Sequence, residues 1–279
     1  MKKFLAMILA LVMALSLVAC GSKDNGQQQG GDVSGDKVVK VGVFEPTSGQ
    51  NAGGGKKEIL GVEYAHSLKP TVTINGEEYS VQLVYADNAS DANKAPSAAQ
   101  TLISQGVSVV LGSYGSGVSM AGGTVFAEAG VPAIGVTCTN PQVTSDCDVY
   151  FRICFLDPFQ GTVLANYAKN ELKATKAYCL AKQGDDYSGG LANYFIKAFG
   201  EENCVYEQFP EGTSDFSAYI QNAINAGADV IFAPCATTYA AQIITQAASA
   251  GFDKPITAGD TWESSVILDA QKGTDVQVY

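Results

Sequence analysis

The sequence predicts an α/β protein made of two doubly wound parallel-sheet lobes joined by a hinge, and three observations carry that reading. From Val38 onward, apolar runs of strand length alternate with longer segments of helical pattern, which is the grammar of open α/β sheets. Several of these runs, such as 107–111 and 229–233, are almost continuously apolar, which suits strands covered on both faces. Two phrases also echo each other, AAQTLISQGVSVVLGS at 98–113 and YIQNAINAGADVIFAP at 219–234, each a helix ending at glycine and then a buried strand.

The first lobe, 38–156, opens with a strand over 38–44, a glycine-rich loop over 48–55 and a helix over 57–67. Residues 71–87 read as a hairpin, because Asn75-Gly76 supplies the left-handed pair that a tight turn requires. Ser90 or Asp91 caps a helix ending at Gly106, followed by a strand over 107–111, a helix over 116–129 and strands over 131–134 and 150–155. The second lobe, 157–279, repeats the order: helix 158–172, strand 176–181, helix 189–199, strand 204–209, helix to 226 capped by Ser214 or Asp215, strand 229–233, helix 238–250 and strand 255–258. Ligands of such sheets bind at the carboxyl ends of the strands, so the cleft between the lobes is the place for a site.

The N-terminus reads differently. Met1-Lys2-Lys3 precedes an apolar run over 4–19 that ends in Leu17-Val18-Ala19-Cys20. The run is shorter than the roughly 20 residues that span a bilayer, and its flanks are those of an export signal over 1–19. Leu-Val-Ala-Cys resembles a bacterial lipobox, in which the cysteine sulfur takes a diacylglycerol and becomes the mature N-terminus. Residues 20–37 contain one apolar side chain after Cys20, Val33, among glycines, glutamines and charges, and they read as a lipidated flexible tether.

A formal net charge of −11 and no run of more than two basic residues argue against nucleic acid as a partner. Catalytic chemistry also finds no support. His66 is the single histidine and sits in a helical pattern, with no G-x-S-x-G elbow to serve. A secreted hydrolase would need a base beside a nucleophile, and the sequence offers none. Beyond Cys20 stand Cys138, Cys147, Cys154, Cys179, Cys204 and Cys235, without a C-x-x-C pair, so no zinc site and no cofactor is expected. Cys179, Cys204 and Cys235 read as buried thiols, and pairing of Cys138 with Cys147 or Cys154 stays open. Gly112-Ser113-Tyr114-Gly115-Ser116-Gly117 fits neither a dinucleotide fingerprint nor a P-loop. It does leave a strand ending in a Gly/Ser turn that opens a helix, where free N–H groups and hydroxyls favour an anion such as a carboxylate. Asp185-Asp186-Tyr187-Ser188-Gly189-Gly190 lacks the spacing of a calcium loop and reads as a helix cap.

Five ordered blocks carry a family resemblance: VKVGVFEPTSGQNAGGGKKEILGVEYA, the long block from LVYADNASDANKAPSAAQ to TNPQVT, YFRICFLDPFQGTVLANYA, DDYSGGLANYF and GTSDFSAYIQNAINAGADVIFAP. Together they resemble the branched-chain (leucine/isoleucine/valine-type) amino-acid-binding proteins of ABC importers, over essentially all of 38–279. The resemblance implies a type I periplasmic-binding-protein fold and a monomer that captures a small amino acid, performs no reaction on it and presents it to ABC permease subunits. It implies an extracytoplasmic place, anchored through Cys20 in a bacterium without an outer membrane and periplasmic otherwise. It further implies that the ligand carboxylate is held by Ser116 and, after the next strand, by a backbone group and a hydroxyl at Thr137 and Thr139. The ammonium partner falls on Asp260, where the family commonly has glutamate; the alternative for Asp260 is a helix cap before Glu263. Tyr187 matches an aromatic of the second lobe's wall. Gly54 and Ala236 stand where rings commonly pack; apart from the resemblance, Tyr239 and Trp262 are our own candidates to fill the space at Ala236. The chain stops at Val276-Gln277-Val278-Tyr279, in the strand that leads the family back to its first lobe, so the resemblance implies a C-terminally truncated fold lacking the closing segments of that lobe. A ligand-sensing receptor module of the same fold, or a binder of small carboxylates or amides, are the alternatives.

Cys20→Ser is expected to release the protein from the membrane fraction, and the intact mass of the membrane-bound form is expected to correspond to a lipidated Cys20 terminus. An unmodified terminus elsewhere would overturn the anchor.

Overall fold

The computed structural model describes residues 37–279; the expected export signal over 1–19, Cys20 and the expected tether up to Asp36 lie outside the described residues. The first lobe is a six-stranded sheet in the order β2-β3-β1-β4-β5-β6, formed by β1 (Val38–Glu45), β2 (Thr71–Ile74), β3 (Glu77–Asp87), β4 (Val109–Leu111), β5 (Ala133–Gly135) and β6 (Tyr150–Arg152). Every pairing is parallel except β2 with β3, where the hairpin closes through Asn75 and Gly76, both at positive φ. Helices α1 (Ala52–Leu68), α2 (Ala95–Ser104), α3 (Ser116–Ala129) and the single turn α4 (Gln142–Ser145) connect the strands.

The second lobe is a four-stranded parallel sheet in the order β10-β9-β7-β8. Its strands are β7 (Ala177–Lys182), β8 (Cys204–Phe209), β9 (Val230–Phe232) and β10 (Ile256–Thr257). Its helices are α5 (Asp157–Asn170), α6 (Asp186–Phe199), α7 (Ser217–Ala226), α8 (Thr237–Ser249) and α9 (Ser265–Gln271). Residues 277–279 run beside β10, with Ile256 N–H donating to Gln277 O at 2.8 Å and Tyr279 N–H to Ile256 O at 3.0 Å.

Both lobes bury aromatic clusters between sheet and helices. In the first, Phe44 of β1 meets Phe126 of α3 edge to face at 5.3 Å. In the second, Phe195 of α6 stacks on Phe232 of β9 at 4.1 Å, while Phe209, Phe216 and Tyr239 pack on the opposite face. Such pairs add to the area they bury.

The elements depart from the sequence expectations in definite places. Helix α1 starts at Ala52 rather than 57, taking Gly53, Gly54 and Gly55 into its first turns. Glycine is needed at 55, because a Cβ there would collide with the Pro46 carbonyl. β6 ends at Arg152 instead of 155. Ile153 N–H still reaches Gly135 O at 3.1 Å, after which the chain leaves the sheet and enters α5, with Asp157 N–H on Thr139 O at 3.0 Å. The short helices α4 and α9 have too few periodic positions to be seen in a sequence pattern.

At Gly161 the helices α5 and α6 approach so closely that a Cβ would stand 2.7 Å from Tyr194 Cβ and 2.8 Å from Phe195 N. Gly161→Ala is expected to cost about 1–3 kcal/mol by overpacking, read as a lower urea midpoint. An unchanged midpoint would mean that the helix pair slides freely.

Candidate functional site

A cavity of about 450 Å³ lies between the lobes and is lined from both. On the first lobe it meets the turn from β4 into α3. Gly115 precedes α3 at φ 110°, a left-handed value that glycine takes without penalty, and this aims the first turn of α3 at the cavity. Ser116 opens the helix, is buried, and accepts the Asn140 N–H on Oγ at 3.2 Å. The helix N-terminus adds its partial positive charge there. Thr137 also lines the cavity, but its hydroxyl donates to Glu58 Oε1, so its backbone is what it offers a ligand. Thr139 is fully buried and absent from the lining, with Oγ1 unpartnered.

Asp260 faces the cavity from the second lobe, in the one-turn 3-10 helix that follows β10. Its side chain caps no helix end. Instead Oδ1 accepts from Tyr187 Oη at 2.7 Å and from Gln160 Nε2 at 3.0 Å, which ties α6 and α5 to this turn. Burial and the Asp260 charge hold the Tyr187 phenol well above its usual pKa, so it stays a donor. Tyr187 sits at the start of α6, where Asp185 Oδ1 caps the helix by accepting Ser188 N–H at 2.8 Å.

The residues expected to form the wall divide. Tyr187 and Ala236 line the cavity, whereas Gly54, Tyr239 and Trp262 do not. The Trp262 indole is buried and donates to Cys235 O at 2.9 Å. The Tyr239 hydroxyl accepts from Gly212 N–H at 3.2 Å and from Gln50 Nε2 of the first lobe at 2.7 Å. Above Gly54 lies the ring of Tyr114, which a Cβ at 54 would strike. Tyr114 lines the cavity and supplies a ring that the sequence reading did not assign. Gln50 was likewise missed; besides Tyr239 it meets Lys182 Nζ through Oε1 at 3.3 Å, so it joins both lobes at the mouth.

Asp157, at the entry to the second lobe, is fully buried, and neither carboxyl oxygen has a partner. Burial pushes its pKa up to about 7; the Thr139 hydroxyl opposes the shift, the Asp260 charge adds to it, and Arg152 opposes it. Arg152 itself braces the 138–144 segment, donating to Cys138 O at 2.7 Å, Pro141 O at 3.1 Å and Thr144 Oγ1 at 2.8 Å. The six described cysteines are free thiols. Cys138 neighbours Cys154, while Cys147 turns to Gly123 O at 3.5 Å. Among the described residues no group of histidine, cysteine or acidic side chains is arranged to hold a metal, and no helix is long and apolar enough to cross a membrane.

Two parallel-sheet lobes with a polar cavity between them are the architecture of a two-lobe solute-binding protein. Residues 38–276 match the periplasmic binding protein family, and the chain belongs to it. A Leu/Ile/Val-binding protein homologue of Brucella abortus is 33% identical over 227 residues, covering 80% of this chain and 60% of its own length. An amino acid binding protein of Pseudomonas aeruginosa is 33% identical over 200 residues, 70% of this chain and 53% of its own. The chain thus spans little more than half the length of these relatives. A solved leucine-binding protein of Thermotoga maritima superposes with a TM-score of 0.79 at 32% identity, covering 84% of this chain and 67% of its own. A branched-chain amino acid transporter substrate-binding protein of Streptococcus pneumoniae, solved with isoleucine, superposes at 0.76 with 29% identity, over 85% and 68%.

Asp157 carries a pH signature of known sign. Its folded pKa, about 7, lies above the unfolded 3.8, so the folded state holds more protons between these values and stability falls as pH rises through that window. Asp157→Asn is expected to remove this part of the slope and to raise the melting temperature relative to wild type at pH 8. Parallel pH profiles of the two proteins would show that the carboxyl is not perturbed.

Proposed function

We propose that this chain is the extracytoplasmic substrate-binding component of an ABC importer, which takes a small α-amino acid into the inter-lobe cavity and closes on it about the hinge. The observation that carries the reading is the opposition of two unlike walls across one cavity. On one side stands the N-terminus of α3 with Ser116, on the other the Asp260 carboxylate, with one oxygen fixed by Tyr187 and Gln160. The first favours a carboxylate, through the helix dipole and hydrogen bonds to a charged group. The second favours an ammonium, which cannot be buried without a charged partner. A zwitterion satisfies both at once, whereas a plain carboxylate meets repulsion at Asp260. The isoleucine bound by the pneumococcal relative and the leucine-binding Thermotoga neighbour support a branched-chain amino acid as the ligand. On this reading the backbone of Thr137 assists Ser116 while Thr139 stays behind the wall, Tyr114, Tyr187 and Ala236 shape the wall, and Cys20 anchors the protein beside its permease.

Ser116→Ala is expected to weaken leucine binding by about tenfold or more, the worth of one hydrogen bond to a charge. Asp260→Asn is expected to weaken leucine strongly and to spare or improve 4-methylpentanoate, which is leucine without its amine. Calorimetry on the two variants decides the matter: leucine bound equally well by both and by wild type would remove this site.

A further inference from the structure

Behind the cavity wall of the first lobe stand two acidic residues that the proposed ligand site leaves unused. Glu45 ends β1 and is 1% exposed, and Glu58 rises from α1 beside it. The Tyr114 N–H donates to Glu45 Oε2 at 2.7 Å, and the Thr137 hydroxyl donates to Glu58 Oε1. Tyr114 and Thr137 both line the cavity, so each carboxyl grips one piece of the wall. The two carboxyls lie within hydrogen-bonding reach of each other. Glu58 Oε2 is nevertheless buried and receives no N–H or O–H.

Two ionised carboxylates in this arrangement would set lone pair against lone pair without water, at a cost in both desolvation and repulsion. One proton between them supplies the missing donor and removes one of the charges. The surroundings offer no other remedy. The groups that act on the pair are Asp260 across the cavity, Tyr114 at the wall and Tyr150 behind Glu45. Lys57, next to Glu58 on α1, is turned away to Glu263 O at 2.8 Å. Burial, and then the partner's charge, raises the Glu45 pKa, and burial raises that of Glu58.

We infer that Glu45 and Glu58 share one proton, and that this proton makes the wall at Tyr114 and Thr137 fit to receive a ligand carboxylate. The second half of the inference rests on the proposed amino-acid site. A carboxylate held at Ser116 and the Thr137 backbone would stand next to Glu58 and be repelled by it if the pair were fully ionised. With the pair singly protonated, Asp260 is left to select the ammonium. The pair acts by positioning and by charge, not by chemistry. Because the ligand favours the protonated pair, affinity must fall as pH rises through the pair's pKa, by at most about tenfold per pH unit for one linked proton.

The experiment uses the 279-residue chain with ¹³C-labelled glutamate and L-leucine as the probe. Infrared spectra of the unliganded protein at neutral pH are expected to show a protonated glutamic acid carbonyl band that disappears in both Glu45→Gln and Glu58→Gln. Calorimetry between about pH 6 and pH 10 is expected to show wild-type affinity declining at the alkaline end faster than that of Glu58→Gln, whose amide mimics the protonated acid. Leucine's own ammonium titrates alike for both proteins, so the ratio of affinities isolates the pair. Glu58→Ala, which leaves Glu45 and Thr137 without their partner, is expected to bind more weakly than Glu58→Gln at every pH. Absence of the carbonyl band would overturn the shared proton, and identical pH profiles for wild type and Glu58→Gln would overturn its role in carboxylate recognition. Leucine failing to bind wild type at any pH would instead overturn the proposed ligand, while the infrared band still decides the pair.

Discussion

A carboxyl group turned into a fold must be given donors, a counter-charge or a proton, and the cleft of this protein is organised by how four carboxyls meet that demand, Asp260 facing the cavity and three others set behind its walls. Asp260 is given the Tyr187 hydroxyl and the Gln160 amide. Because these come from α6 and α5, the bonds draw two helices onto the turn after β10. Glu45 is given the Tyr114 N–H, and Glu58 the Thr137 hydroxyl, so the end of β1 and the face of α1 fix the loops after β4 and β5. Asp157 is given nothing that meets hydrogen-bond geometry, and its carboxyl titrates near neutrality. The walls are therefore placed less by apolar packing, which builds the two cores behind them, than by the solvation of acids.

The fold was legible from the sequence because its elements obey local rules. Buried parallel strands such as 230–232 and helices such as 116–129 show the periodicity that burial on two faces or on one demands, and both occur within the predicted bounds. Asn75-Gly76 marked its hairpin through backbone conformation alone. The misses come where a boundary is set by another part of the chain. Nothing local tells that glycines 53–55 enter a helix, since the neighbours that require small residues there, the Tyr114 ring over Gly54 and the Pro46 carbonyl against Gly55, come from other parts of the fold. Nothing local stops β6 at Arg152 either, since the reason is the departure of the chain toward the second lobe.

The site was legible only in part. Ser116 and Asp260 lie where strands end and helical turns begin, positions that face the cavity in any doubly wound sheet. Trp262, two residues beyond Asp260, was expected at the wall. The 3-10 turn over 260–262 instead sends its indole back to Cys235 O in the core, a reversal that linear proximity cannot show. Tyr239 was drawn to the mouth instead, where its hydroxyl meets Gln50. Glu45 did leave a signal, a charged residue closing the apolar run VVKVGVF. That signal gains meaning only with Glu58, thirteen positions away, packed beside it.

On the proposed reading the ring of the first-lobe wall is carried at position 114, over Gly54. Tyr114 stands two residues before Ser116 in the β4–α3 turn, and its N–H is held by Glu45. The ring and the helix start are thus carried by one turn of backbone. Gly54 is what makes this possible, because any side chain there would strike the ring. Bulk at 54 must therefore displace the Tyr114 ring from its place over α1. On the proposed reading the ring of the side-chain pocket and the carboxylate-favouring helix start are neighbours on one turn, whose Tyr114 N–H is held by the buried Glu45.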